Sequence, residues 1–151
     1  MSLEKWADFG WLRLEATSPG EIKALLGIVD RGLADSKVKA ASVDLRFIAA
    51  FGSALAAATT ALRASGYRAA TQAGHHVKTI ESLKFTIDAS PRVIHRLKAF
   101  SSKRNRSNYD VAGSVSDQDL DAMEKLAVEL KDTVRVWLNK AHPELMKGDM
   151  P

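Results

Sequence analysis

Apolar residues near the end of the chain recur at intervals of three and four residues, and this spacing restricts the fold more than any other feature. The series is Leu120, Met123, Ala127, Leu130, Val134, Trp137 and Ala141. Residues three and four apart share one face of an α-helix, so the series predicts a long helix with one apolar face. Ser116 and Asp119 form a capping pair at its start, and Pro143 ends it. Such a face must be covered, which favours a helix bundle.

A second long helix is predicted from Ser42, which can cap its start, to Gly66, which suits a C-terminal stop. Its apolar positions are Val43, Phe47, Phe51, Leu55, Ala58 and Leu62. Alanine, glycine and serine fill most of the remaining positions between residues 49 and 57, which lets a neighbouring helix approach closely. The same composition disfavours a β-strand.

Three further helices complete the prediction. Ser18–Glu21 is a capping box with proline at the first helical position, and it predicts a helix over about residues 22–34. Apolar spacing over residues 77–87 indicates a third helix, and Ser90 followed by proline opens a fourth. No segment alternates with a period of two over the length of a strand. The sequence therefore predicts an all-α antiparallel up-and-down bundle of four to five helices.

The length of 151 residues allows one domain with its own core. We expect an N-terminal aromatic extension over residues 1–17, the helical bundle over 18–142 and a C-terminal tail over 143–151. The absence of cysteine fits a reducing compartment. The charged N-terminus does not resemble a signal peptide, and no apolar run approaches a membrane span in length. A cytoplasmic protein with no membrane contact is therefore predicted.

Positive charge is concentrated in the middle of the chain. Residues 45–109 hold eleven Lys and Arg against two Asp and Glu, whereas both flanking segments carry an excess of acid. This distribution predicts a surface for phosphate groups or nucleic acid. The alternative is that folding intersperses the charges and leaves no basic patch.

The densest group of polar side chains is residues 103–110, with the sequence Lys-Arg-Asn-Arg-Ser-Asn-Tyr-Asp. Guanidinium groups match phosphate oxygens with paired hydrogen bonds, so Lys103, Arg104 and Arg106 are candidate phosphate ligands. The alternative is that these cations only complement the C-terminal end of a helix.

A second group of candidate phosphate ligands is Arg68, His75 and His76, which follow the Ala-rich helix. Adjacent histidines on a helix point about 100° apart, so the pair is poorly placed to bind one metal ion. Neither a metal nor another cofactor is predicted.

The order of these features resembles that of the HEPN superfamily of small bacterial and archaeal helical domains. The shared features are small residues along the second helix, Gly66-Tyr67-Arg68, Gly74-His75-His76, Arg104-Asn105 with Tyr109-Asp110, and a long closing helix. The resemblance covers about residues 18–141. It is to a subgroup in which Arg-Asn-x-x-x-Tyr-Asp occupies the motif position.

The resemblance implies a bundle that forms a homodimer and brings two copies of the motif together across a cleft. Many such domains are metal-independent ribonucleases or toxins, often paired with a nucleotidyltransferase-type antitoxin. Their catalytic signature is Arg, four to six residues, then His. Arg104 and Asn105 match its first half, and Tyr109 stands at the histidine position, so these three are the candidate catalytic residues. The hydroxyl of Tyr109 could also accept a nucleotidyl group from such a partner.

Tyrosine at that position favours binding over catalysis. RNA cleavage needs an acid and a base that titrate near neutral pH, and a phenol with a pKa near 10 is almost wholly protonated there. Arg104, Arg106 and Tyr109 can still hold a phosphate or stack on a base.

Three functions therefore remain as hypotheses. The leading one is a dimeric domain that binds RNA or a nucleotide with weak or no cleavage. The second is an active ribonuclease toxin of a toxin–antitoxin pair, with His75 or His76 as a substitute base only if they lie beside Arg104. The third is a protein-interaction or dimerisation module in which Arg104 pairs with Asp110 or with an acid of the closing helix.

Overall fold

A computed structural model describes residues 1–70, 75–109 and 113–149 of the chain, apart from the side chains of residues 75, 106–109, 148 and 149. The helices are α1 (Leu3–Asp8), α2 (Pro19–Ser36), α3 (Val43–Ala64), α4 (His75–Glu81), α5 (Leu83–Thr86), α6 (Pro91–Tyr109), α7 (Asp117–Ala141) and a 3₁₀ helix (Pro143–Asp149). Two short strands, β1 (Leu12–Leu14) and β2 (Tyr67–Ala69), accompany them. The prediction of an all-α helical bundle is confirmed.

Serine side chains begin three of the long helices as the sequence predicted. The hydroxyls of Ser18, Ser42 and Ser116 each accept a hydrogen bond from the backbone N–H three residues later. Asp119 completes the capping box at Ser116. Each bond satisfies one of the free N–H groups of a first helical turn. The helix predicted over residues 77–87 is instead divided into α4 and α5 at Ser82.

Paired contacts give the directions of the four long helices. The Arg46 side chain donates to the carbonyl of Ser36, and Arg63 donates to Glu21, so α2 and α3 are antiparallel. Ion pairs from Arg92 to Glu129 and from Lys103 to Asp119 make α6 and α7 antiparallel as well. Helices α2 and α6 finish, and α3 and α7 begin, at the same end of the bundle, which we call the first end. The opposite end of the bundle is the second end.

Helix α3 lies at the centre of the core, packed mainly against α2 and α7. Phe47, Phe51 and Ala57 on this helix are fully buried. Gly32 of α2 lies so close to α3 that an added Cβ would be 2.9 Å from both the Ala49 carbonyl oxygen and the Ser53 Cβ. The small residues of α3 therefore allow the close helix contact that the sequence predicted.

By length and composition alone, α3 is long and apolar enough to cross a membrane, and it is the one helix among the described residues that passes this test. This corrects the expectation that no apolar run approaches a membrane span in length. In the fold, 56% of its apolar window is buried, and the core helix of a globular bundle passes the same test.

The N-terminal segment and a short part of the α3–α4 connection form a small antiparallel sheet that the sequence did not predict. Leu12 pairs with Ala69, and Leu14 pairs with Tyr67. Trp6 and Leu12 pack with Leu62 in a cluster separate from the main core. At the other terminus, Met146 of the 3₁₀ helix is buried in the main core, so residues 143–149 pack against the bundle.

Candidate functional site

Helix α6 carries six Lys and Arg side chains and no acid over its nineteen residues. Leu97 and Ser101 are buried and mark the side that faces the core. Arg92 and His95 are exposed on the other side. This helix holds the largest share of the basic middle of the chain, and acids of neighbouring helices pair with three of its cations, namely Arg92, Lys98 and Lys103.

Arg104 lies on the core side of α6 and is half-buried. Its guanidinium carbon is 5.0 Å from the centre of the Phe51 ring, within the range of a cation–π contact. Its Nε is buried without a hydrogen-bond partner. Among the described residues no acid forms an ion pair with Arg104, so its charge is not neutralised by them.

Lys103 and Asn105, the neighbours of Arg104, differ in their partners. The Lys103 Nζ is 2.8 Å from the Asp119 Oδ2 at the start of α7. The hydrogen bond from Lys103, together with the backbone N–H of Ser116, lowers the pKa of Asp119. Asn105 is exposed. Lys103 is thus largely neutralised by the protein's own acid, whereas Asn105 is open to solvent.

Arg68 lies in β2, beside the second end of the bundle, and is also paired. It donates to the carboxylates of Glu15 and Glu21. The hydrogen bond that Arg68 donates to Glu15 is the main reason why the pKa of Arg68 is raised, and the same bond lowers the pKa of Glu15. Arg68 therefore stabilises the junction of β1, β2 and α2, and its charge is not free for a phosphate.

His76 lies beside Arg68, and no described contact joins it to Arg104. It lines a cavity of about 250 Å³ together with Arg63, Arg68, Thr59 and other residues of α3, α4 and β2, and no α6 residue lines that cavity. The proximity of His76 to Arg104 that a substitute base would need is therefore not seen.

Some predicted site positions lie outside the described residues. These are the side chains of His75, Arg106 and Tyr109, and the whole of Asp110. In the part of the chain that is described, no group of three or more His, Asp or Glu side chains is placed to hold a metal ion.

Arg63, which is not among the site residues predicted from the sequence, is the most completely bonded cation in the described chain. Its side chain is 3% exposed. Its Nε and one terminal nitrogen donate to Glu21, and the terminal nitrogens also donate to the carbonyls of Glu15, Ala16 and Tyr67. The sequence signal was available: Arg63 is the only charged residue between Arg46 and Arg68. A lone charge on an apolar helix must be paired when it is buried.

The carboxylates of this network predict an acid-sensitive fold. Burial is the largest influence on the pKa of Glu21 and raises it, but hydrogen bonds from Arg63 and Thr17 outweigh burial, so the net shift is downward. The pKa of Glu15 and of Asp119 is lowered as well. A carboxylate with a lower pKa in the folded state stabilises the fold above its unfolded pKa, and that contribution is lost as the pH falls through the folded pKa.

We therefore expect the midpoint of thermal unfolding to fall steeply below the ordinary carboxyl pKa values of 4.5 for glutamate and 3.8 for aspartate. Unfolding followed by circular dichroism at a series of pH values measures this. Glu15→Gln should flatten the dependence, because glutamine does not titrate. Glu4→Gln, which removes a carboxylate without an ion pair among the described residues, is the control. Equal curves for the two variants would contradict the prediction.

Comparisons with protein-family models, with curated proteins and with solved structures found no match to this chain.

Proposed function

We propose that this chain is a HEPN-like domain that binds RNA or a nucleotide through the C-terminal part of α6, with weak or no cleavage. One observation carries the proposal: the guanidinium of Arg104 has no acidic partner among the described residues, and its Nε is buried and unpaired. A buried donor without an acceptor costs about 1–3 kcal/mol, which a phosphate oxygen would recover. Asn105, exposed beside it, supplies an amide donor and acceptor.

The charge of α6 supports the same ligand class. A phosphate near Arg104 meets a helix with six cations and no acid. Each phosphate that is neutralised by Lys or Arg releases counterions, so binding of this kind weakens as salt increases. The Phe51 ring holds the guanidinium in place through the cation–π contact.

The test is a titration of a short single-stranded RNA against wild type and Arg104→Ala at several salt concentrations. Arg104→Ala should weaken binding about tenfold, the effect of one lost charged hydrogen bond, and should reduce the salt slope by about 1. Arg31→Ala, which removes an exposed arginine from α2, is the matched control and should change neither. Unchanged affinity and slope for Arg104→Ala would contradict the proposal.

A second candidate function, an interaction module, is favoured by the position of Arg104 on the core side of α6. If the contact with Phe51 is purely structural, Arg104→Ala lowers the melting temperature and leaves RNA binding unchanged. The titration and a melting curve of the same variant therefore separate the two candidates.

The homodimer, the ribonuclease toxin with its nucleotidyltransferase-type partner and the cytoplasmic location stay predictions from the sequence and the resemblance. An apolar depression lined by Val38, Leu45 and Ile48 lies near the first end of the bundle, and it supports the proposal of a homodimer. Both Val38 and Leu45 are about half exposed, at 49% and 58%.

A further inference from the structure

A groove between α5 and the first two turns of α6 is lined by cations from both helices. Its volume is about 650 Å³, within the range of clefts that hold small ligands. The cations are Lys84 from α5 and Arg92 and Lys98 from α6, and His95 of α6 also lines the groove. None of the described residues that line the groove is acidic. The sequence signal is the acid-free segment from Ala89 to Tyr109.

The cations of the groove keep most of their capacity to bind an anion. Lys98 pairs with Glu81 at 3.1 Å, and Arg92 pairs with Glu129 at 3.9 Å. Both pairs are partly exposed, and exposed pairs contribute only about 0–1 kcal/mol. Glu81 and Glu129 do not line the groove, so they pair with Lys98 and Arg92 from outside it.

Lys84 has no acidic partner among the described residues. Its Nζ is 4.9 Å from the centre of the Phe85 ring and 5.6 Å from that of Trp6. These ring contacts position the ammonium group and leave its charge intact. An anion can therefore bind Lys84 without breaking an ion pair among the described residues.

The remaining lining is apolar and comes from Ala89, Pro91 and Ile94. An arginine fork and two lysines suit a phosphate with two negative charges, and an apolar floor suits the face of a flat ring. We propose that this groove binds a terminal phosphate monoester joined to a flat ring, as in a mononucleotide or the 5′-phosphorylated end of an RNA strand. Lys84, Arg92 and Lys98 hold the phosphate, and Pro91 and Ile94 contact the ring.

This site is separate from Arg104, which lies on the core side of α6 and nearer its C-terminal end. The proposal goes beyond the proposed function and does not depend on it. If Arg104→Ala leaves RNA binding unchanged, the proposed function fails. The groove can still be tested with a mononucleotide, which binds without contacting Arg104.

The experiment is a calorimetric titration of the full chain with adenosine monophosphate at low salt. We expect saturable binding that the double variant Lys84→Ala/Lys98→Ala weakens at least about tenfold, through the loss of charged hydrogen bonds. Lys84→Arg/Lys98→Arg should restore most of it, because the positive charge returns. The control is Arg31→Ala, which should bind as wild type does. Circular dichroism checks that each variant is folded.

Further ligands show which part of the nucleotide is recognised and whether the ligand is a free nucleotide or the end of an RNA strand. A 5′-phosphorylated RNA oligonucleotide that binds more tightly than its 5′-hydroxyl form, with the difference lost in the double alanine variant, identifies an RNA end as the source. Binding of the mononucleotide without such a difference identifies the free nucleotide. The proposal is overturned if adenosine monophosphate does not bind, if the double alanine variant binds it unchanged, or if adenosine or inorganic phosphate binds equally well.

Discussion

Replacing Arg63 with alanine should lower the free energy of unfolding by about 3–5 kcal/mol, the range for removing one partner of a buried ion pair. All five N–H donors of Arg63 are used, by the Glu21 carboxylate and by three backbone carbonyls. The side chain is almost fully buried, so water cannot replace it at these acceptors. Urea unfolding followed by circular dichroism measures the loss.

Two neighbouring arginines make the prediction specific. Arg13→Ala removes an exposed cation from β1, and it should change stability by no more than about 0.5 kcal/mol. Arg68→Ala removes a side chain that is 38% exposed and should cost no more than about 1 kcal/mol. Arg63→Lys keeps the charge but cannot make five bonds, so most of the loss should remain. A loss below about 1 kcal/mol for Arg63→Ala would contradict the account, because such values are typical of exposed pairs.

The Arg63 network also shows why sequence patterns predicted the helices and not their cross-links. A capping serine, the proline after it and an apolar spacing of three or four residues are local features, and each corresponds to a boundary or a face in the fold. Apart from the nearby Tyr67 carbonyl, the partners of Arg63 lie 42 to 48 residues earlier in the chain. The spacing of apolar residues along a helix does not show which residues so far apart in the sequence come into contact. The sheet was missed for the same reason, since each three-residue strand is too short to show alternation.

The direction of the candidate site's side chains could not be predicted from the sequence. Residues 103–105 lie in the C-terminal part of α6. Side-chain direction depends on where the helix meets the core, and Leu97 and Ser101 place Arg104 on the inner side. The same geometry exposes Arg92 and His95. Arg68 and His76 were grouped with Arg104 by residue type alone, and the fold places them beside Arg63.

Replacing Gly32 with valine should destabilise the fold by about 1–3 kcal/mol or more, the range for overpacking a core. An added Cβ would lie 2.9 Å from the backbone carbonyl oxygen of Ala49, and backbone atoms of a central helix cannot move aside cheaply. It would lie equally close to the Cβ of Ser53, whose hydroxyl donates to the Val29 carbonyl at 2.7 Å. Moving α2 away from α3 would break that bond and open the core.

Gly27 on the same helix provides a matched control of opposite sign. It is exposed, and nothing lies within 4 Å of a Cβ added there. Gly27→Ala should therefore stabilise the fold by about 0.4–1 kcal/mol, because alanine favours the helix and restricts the unfolded chain. Gly32→Ala gains the same helix preference but suffers the overlap, so it should still lose stability relative to Gly27→Ala. Urea unfolding of the three variants checks this order, and equal effects at the two glycines would mean that α2 and α3 do not approach as closely as the structure shows.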